Sequence, residues 1–118
     1  MLYTTFNVGG NDYKARLTAK ACVDLEKKLG TNPLNILGDF STTNRIPDLS
    51  TMLVILHASL QAYNHGITLD KVYDIYDAFV EEGNTLMELF PIIIDIFKTS
   101  GFFKEETEEK NSLMGTTL

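Results

Sequence analysis

Apolar residues recur along the first hundred positions with two different periods, and the change between them divides the chain. Over residues 2–17 the period is two. Leu2, Thr4, Phe6 and Val8 alternate with Tyr3, Thr5 and Asn7, and the return segment places Tyr13, Ala15 and Leu17 opposite Asp12, Lys14 and Arg16. Alternation of this kind marks strands with one covered face. Gly9-Gly10-Asn11 lies between them, and such residues accept the positive φ of a tight hairpin turn. A lone hairpin is marginal in water, so this one must pack on the helical remainder of the chain.

From Thr18 onward the period is 3.6. Thr18 reads as an N-cap and Gly30 as the residue past the helix end, with Cys22, Leu25 and Leu29 on one face between them. Asn32-Pro33 opens a short helical turn through Leu34, Ile36 and Leu37, expected to stop at Gly38. Residues 39–48 carry Ser, Thr, Asn and Pro and read as a loop. The next helix is predicted from Pro47 or Asp48 to about Asn64. Its stripe is Leu49, Met52, Leu53, Leu56, Leu60 and Tyr63, widened by Val54, Ile55, Ala58 and Ala62, which makes it the central, buried helix. Thr68 caps a fourth helix whose inward positions are Leu69, Val72, Tyr73, Tyr76, Phe79 and Val80, and Gly83 closes it. Thr85-Leu86-Met87-Glu88 is a capping box opening the last helix. There Leu86, Leu89, Phe90, Ile93, Ile94 and Phe97 face inward, Pro91 is expected to kink the helix or delay its start, and Gly101 lies past its end. The predicted fold is mainly α (α+β): an N-terminal β-hairpin packed on a bundle of about four to five helices.

The patterning stops at Phe103. Residues 1–103 therefore read as one domain, and 104–118 as an acidic tail with four glutamates against two lysines and too little apolar content to form packed structure. The whole chain has 118 residues, 44% hydrophobic and 22% charged, which is an ordinary globular composition. Its net charge of −6 opposes binding to the phosphates of nucleic acid and to anionic membrane surfaces. No basic stretch followed by an apolar run opens the chain, and its longest apolar stretches are too short to span a bilayer. The expectation is a soluble, cytoplasmic protein.

Candidate chemistry is sparse. The single cysteine, Cys22, falls among apolar helix positions and reads as a small buried hydrophobe. His57 and His65 are eight positions apart, about 12 Å along one helix, too far for two ligands of one metal. No Walker loop, dinucleotide-binding glycine pattern or nucleophile elbow is present. Neither a catalytic residue nor a metal or cofactor is expected. Asp70, Asp74 and Asp77 share one helix face and read as a solvated face, or, in functional terms, as a contact surface for a basic partner. Phe102 and Phe103 are expected to dock on the helices or to mark a contact patch.

The run Lys14-Ala-Arg-Leu-Thr-Ala-Lys-Ala-Cys-Val-Asp-Leu-Glu-Lys-Lys-Leu-Gly-Thr-Asn-Pro-Leu34 resembles the opening of the small tail assembly chaperones of long-tailed bacteriophages and prophages of Gram-positive bacteria. A strand ending in Arg-Leu-Thr there leads into a helix with Leu-Glu-x-x-Leu-Gly. Leu56-His-Ala-Ser-Leu-Gln61, Gly66-Ile-Thr-Leu69 and Val72-Tyr73 continue the likeness, which spans about residues 1–103.

The resemblance implies a non-enzymatic protein of the host bacterial cytoplasm, absent from the mature virion. It would coat the tape-measure protein, keep it soluble and recruit tail-tube protein, with self-association a further option. It also implies that a second, longer form arises by ribosomal frameshifting near the 3′ end, where Lys110-Asn111 is the dipeptide a slippery run encodes. No binding residue carries over from it. The alternatives are a generic helical protein-binding adaptor or regulator, and a virion structural component such as a head–tail connector.

Overall fold

Two consecutive glycines with positive φ, Gly9 at 61° and Gly10 at 80°, turn the chain back on itself between β1 (Thr4–Val8) and β2 (Asn11–Ala15). Positive φ at both central residues gives the turn the twist that paired strands need. The antiparallel register runs from Val8 opposite Asn11 to Thr4 opposite Ala15. In this computed structural model, which describes residues 2–103, five helices follow: α1 (Ala19–Leu29), α2 (Leu34–Thr43), α3 (Leu49–Leu60), α4 (Leu69–Glu81) and α5 (Leu86–Thr99). The architecture is the expected hairpin on a helical bundle. The acidic segment 104–118, including Lys110-Asn111, lies outside the described residues.

The hairpin's inner face supplies Phe6, Val8, Ala15 and Leu17 to the core, and the Phe6 ring lies 5.3 Å from that of Phe79 on α4. Polar ties to the helices fix its position. The Arg16 N–H donates to the Ser59 carbonyl at 2.8 Å, and the Leu17 N–H donates to Ser100 Oγ at 2.8 Å. Thr4 Oγ1, itself buried, donates to Asp95 Oδ2 at 2.9 Å and lies 3.1 Å from Thr99 Oγ1. β1 and β2 are thus anchored to α3 and α5 by bonds that satisfy polar groups the core would otherwise strand.

α3 is the central helix and packs against α1, α4, α5 and β2. Met52, Ile55, Leu56 and Leu60 are fully buried. It ends at Leu60, a turn earlier than its pattern suggests. Asn64 closes it there, with its backbone N–H and side-chain amide both donating to the Leu60 carbonyl, at 2.9 and 3.0 Å. Tyr63 is consequently not part of the buried stripe. It is 47% exposed and packs edge-on to Tyr3, ring centroids 5.6 Å apart.

α2 also differs from the expectation. Gly38 does not stop it, and the helix continues through residues assigned to a loop. Phe40 explains the extension: its ring meets Phe90 of α5 at 4.8 Å, which requires a further turn after Gly38. The Thr43 hydroxyl satisfies the Asp39 carbonyl at 2.6 Å, and Asn44, at φ 63°, ends the helix. The opening is as predicted, with Asn32 Oδ1 accepting from the Leu34 N–H at 3.0 Å and Pro33 in helical conformation.

Two inward faces are rotated from the predicted ones. On α4, Ile75 is buried while Tyr73 and Val80 are exposed, and on α5 Ile96 is buried while Ile94 is half-buried. α5 starts at Leu86 with the capping box formed, so Pro91 neither delays nor ends it. Pro91 is tolerated because it lies on the exposed side, where the Met87 carbonyl that loses its donor is not trapped in the core.

Candidate interaction surfaces

Three surfaces of the described residues combine exposure with specific chemistry. The first is a groove of about 540 Å³ between α1 and α3. Ala21, Leu25 and Ala58 form its apolar floor, and Lys27, Lys28 and the exposed pair Lys20–Asp24 (3.1 Å) lie along its α1 side. Two alanines keep the floor low, which lets another backbone approach closely. The helices that carry it are fixed by Thr18, whose Oγ1 accepts from the Ala21 N–H at 3.2 Å, and by Gly30, at φ 72°.

His57 closes the far end of this groove. Its Nε2 and the Gln61 amide nitrogen each lie 2.9 Å from the Ile67 carbonyl, whose two lone pairs accept both donors. His57 therefore pins the chain between α3 and α4. His65 is exposed past the end of α3. Cys22 is half-buried, and burial first, then the nearby Glu26 carboxylate, pushes its thiol above the ordinary cysteine range. Among the described residues, no group of three or more His, Cys, Asp and Glu side chains is placed to hold a metal ion.

The second surface is the outer face of α4. Asp70, Asp74 and Asp77, singled out in the sequence, are all exposed there. Tyr73 and Val80 join them, at 46% and 43% exposure, so the face alternates acidic and apolar side chains over three turns. Treating Tyr73 and Val80 as core positions hid this. Each follows an aspartate by three positions, Tyr73 after Asp70 and Val80 after Asp77, and that spacing carries the signal.

The third surface is the outer face of the hairpin. Lys14 Nζ sits 4.8 Å from the centre of the Tyr3 ring and 5.9 Å from that of Tyr63. Arg16 follows on the same face of β2. Its Nε is shielded from solvent and is the buried side-chain polar atom that finds no hydrogen-bond partner among the described residues. Sequence periodicity placed Lys14 and Arg16 on this face but gave no sign that Tyr63 would meet it.

The two phenylalanines at the end of α5 separate. Phe102 docks on the bundle against Phe97, with ring centroids 5.0 Å apart, whereas Phe103 is 36% exposed. They do not join the α4 aspartates in one site by any described contact.

Residues 3–115 match the model of a family described as a family of unknown function (DUF6096). No curated protein and no solved structure matches the chain.

Proposed function

The chain belongs to the DUF6096 family, whose function is unknown, and we propose that it is a non-enzymatic protein-binding module, a tail assembly chaperone that shelters the apolar helix faces of a phage tape-measure protein. The observation that carries this reading is the groove between α1 and α3. A groove floored by Ala21, Leu25 and Ala58 suits an amphipathic helix laid in lengthwise with its apolar face down. Its lysine edge favours a partner helix with acidic flanks. The sequence likeness to tail assembly chaperones supplies the partner, and the acidic overall charge supports protein rather than nucleic acid.

Co-expression tests this. The tape-measure protein encoded downstream should stay soluble and co-elute with the chain on gel filtration. Ala58→Trp, which fills the groove from the α3 side, should abolish co-elution while the variant keeps its helical circular dichroism. A tape-measure protein equally insoluble with and without the chain would refute the proposal. Neighbouring genes give a second check: a tail-tube gene on one side and a very long tape-measure gene on the other.

A further inference from the structure

We propose that the groove between α1 and α3 takes its partner helix antiparallel to α1, with the partner's acidic first turn against Lys27 and Lys28. This rests on the reading of the groove as a helix site and adds which helix it selects: an amphipathic segment whose carboxylates gather at its N-terminal end. The groove follows α1 from Thr18 to Lys28, about 15 Å at 1.5 Å per residue, or roughly three turns. Its charge is unevenly placed along that length. Toward Thr18, Lys20 is already paired with Asp24 at 3.1 Å, so this end presents a cation and a carboxylate together. In the last turn of α1, Lys27 and Lys28 are exposed and form no ion pair among the described residues.

Helix dipoles make this asymmetry directional. Lysines suit the C-terminal end of α1, and carboxylates suit the N-terminal end of any helix. The two sets of charges meet only if the partner runs antiparallel to α1. A parallel partner would bring its acidic turn beside Asp24, where the neighbouring Lys20 is occupied. It would also leave Lys27 and Lys28 without a carboxylate. The floor sets the rest of the contact. Ala21 and Ala58 are small, so the partner's axis can lie near the lower end of the range of about 8–10 Å for packed helices. Ala21, Leu25 and Ala58 together ask for an apolar stripe at i, i+3, i+4 and i+7 on the incoming helix.

Two hydrocarbon-stapled amphipathic peptides of equal composition and about three turns test the direction. One carries its glutamates only in the first turn, the other only in the last. By fluorescence anisotropy with the full chain, the first should bind about ten-fold tighter at low salt, and the gap should narrow at high salt because exposed charges are screened. Lys27→Glu/Lys28→Glu should erase or invert that preference, which a difference in peptide helicity alone would not do. Lys28→Glu alone carries the test if the double variant fails to show native circular dichroism. A benzophenone at the N-terminus of the first peptide should crosslink near Leu29 and not near Thr18. Equal binding of the two peptides overturns the proposal, as does a preference that survives the lysine reversal. So does a crosslink near Thr18, or no binding of either peptide. None of these measurements uses the tape-measure protein. A tape-measure protein that stays insoluble therefore refutes the chaperone reading, while the direction of binding stands or falls on the peptides.

Discussion

Phe102 stands edge-on to Phe97, and its backbone N–H donates to the Phe97 carbonyl at 3.0 Å, so one pair of residues closes α5 twice. The Gly101 N–H donates to the Lys98 carbonyl at 3.1 Å, and Gly101 takes the left-handed conformation, φ 89°, that allows both bonds. This is the Schellman arrangement with its apolar clasp. It makes Phe102 part of the fold and leaves Phe103 outside it. Phe102→Ala should therefore lower stability by about 1–3 kcal/mol, combining a lost aromatic pair with lost burial. Phe103→Ala should change it by under about 0.5 kcal/mol. Urea titration of the two variants checks the contrast, and equal losses would mean that Phe103 is also packed.

The features legible in the sequence were those set by local chemistry. The Gly9-Gly10 turn, the Thr18, Thr68 and Thr85 caps and the glycines after α1, α4 and α5 all depend on the residue itself and its near neighbours. What was not legible depended on distant partners. Phe40 extends α2 because Phe90 lies opposite it, a relation separated by fifty positions. Tyr63 leaves the α3 stripe because Asn64 ends the helix first and Tyr3 offers it a surface contact. Tyr73 and Val80 are apolar at helical spacing and still face outward. Periodicity assigns a face, but it cannot say whether the core covers it. The groove between α1 and α3 was invisible for the same reason: it belongs to the distance between two helices.

The central helix gives a direct measure of the core. Leu56 is fully buried, and the carbonyl of its residue accepts from Ser59 Oγ at 2.8 Å, holding the turn that receives the Arg16 N–H. Leu56→Ala should cost about 2–5 kcal/mol, the range for emptying a leucine site in a packed interior. A loss under roughly 0.5 kcal/mol in chemical denaturation would mean that α3 is not the centre of the bundle.

Glu88 gives a pH signature. Its carboxylate accepts from the Thr85 hydroxyl and from the Thr85 N–H, the latter at 2.6 Å, and these bonds hold its pKa below the ordinary glutamate range. A carboxylate with a lower pKa folded than unfolded stabilises the fold at neutral pH, and that contribution fades as pH falls through the folded value. The stability gap between wild type and Glu88→Ala should therefore be largest near neutral pH and shrink on acidification to about pH 3. Melting temperatures of the two proteins across that range test it. A gap that widens in acid would show that the capping box does not act through the charged form.

Gly38 separates the two readings of α2. If it ended the helix, an alanine there would be strained. In the structure its backbone is not left-handed, it lies inside Leu34–Thr43, and a Cβ built on it meets nothing within 4 Å. Glycine inside a helix costs about 0.5–1 kcal/mol relative to alanine, mainly through the freedom it loses on folding. Gly38→Ala should therefore stabilise the protein by about that amount. Gly30 is the control: it also has open space around it, but its φ of 72° lies where a side chain meets the following carbonyl. Gly30→Ala should destabilise by about 1–2 kcal/mol. Thermal melts of the pair should move in opposite directions. If both alanines destabilise, α2 ends at Gly38, and Phe40 reaches Phe90 from a loop.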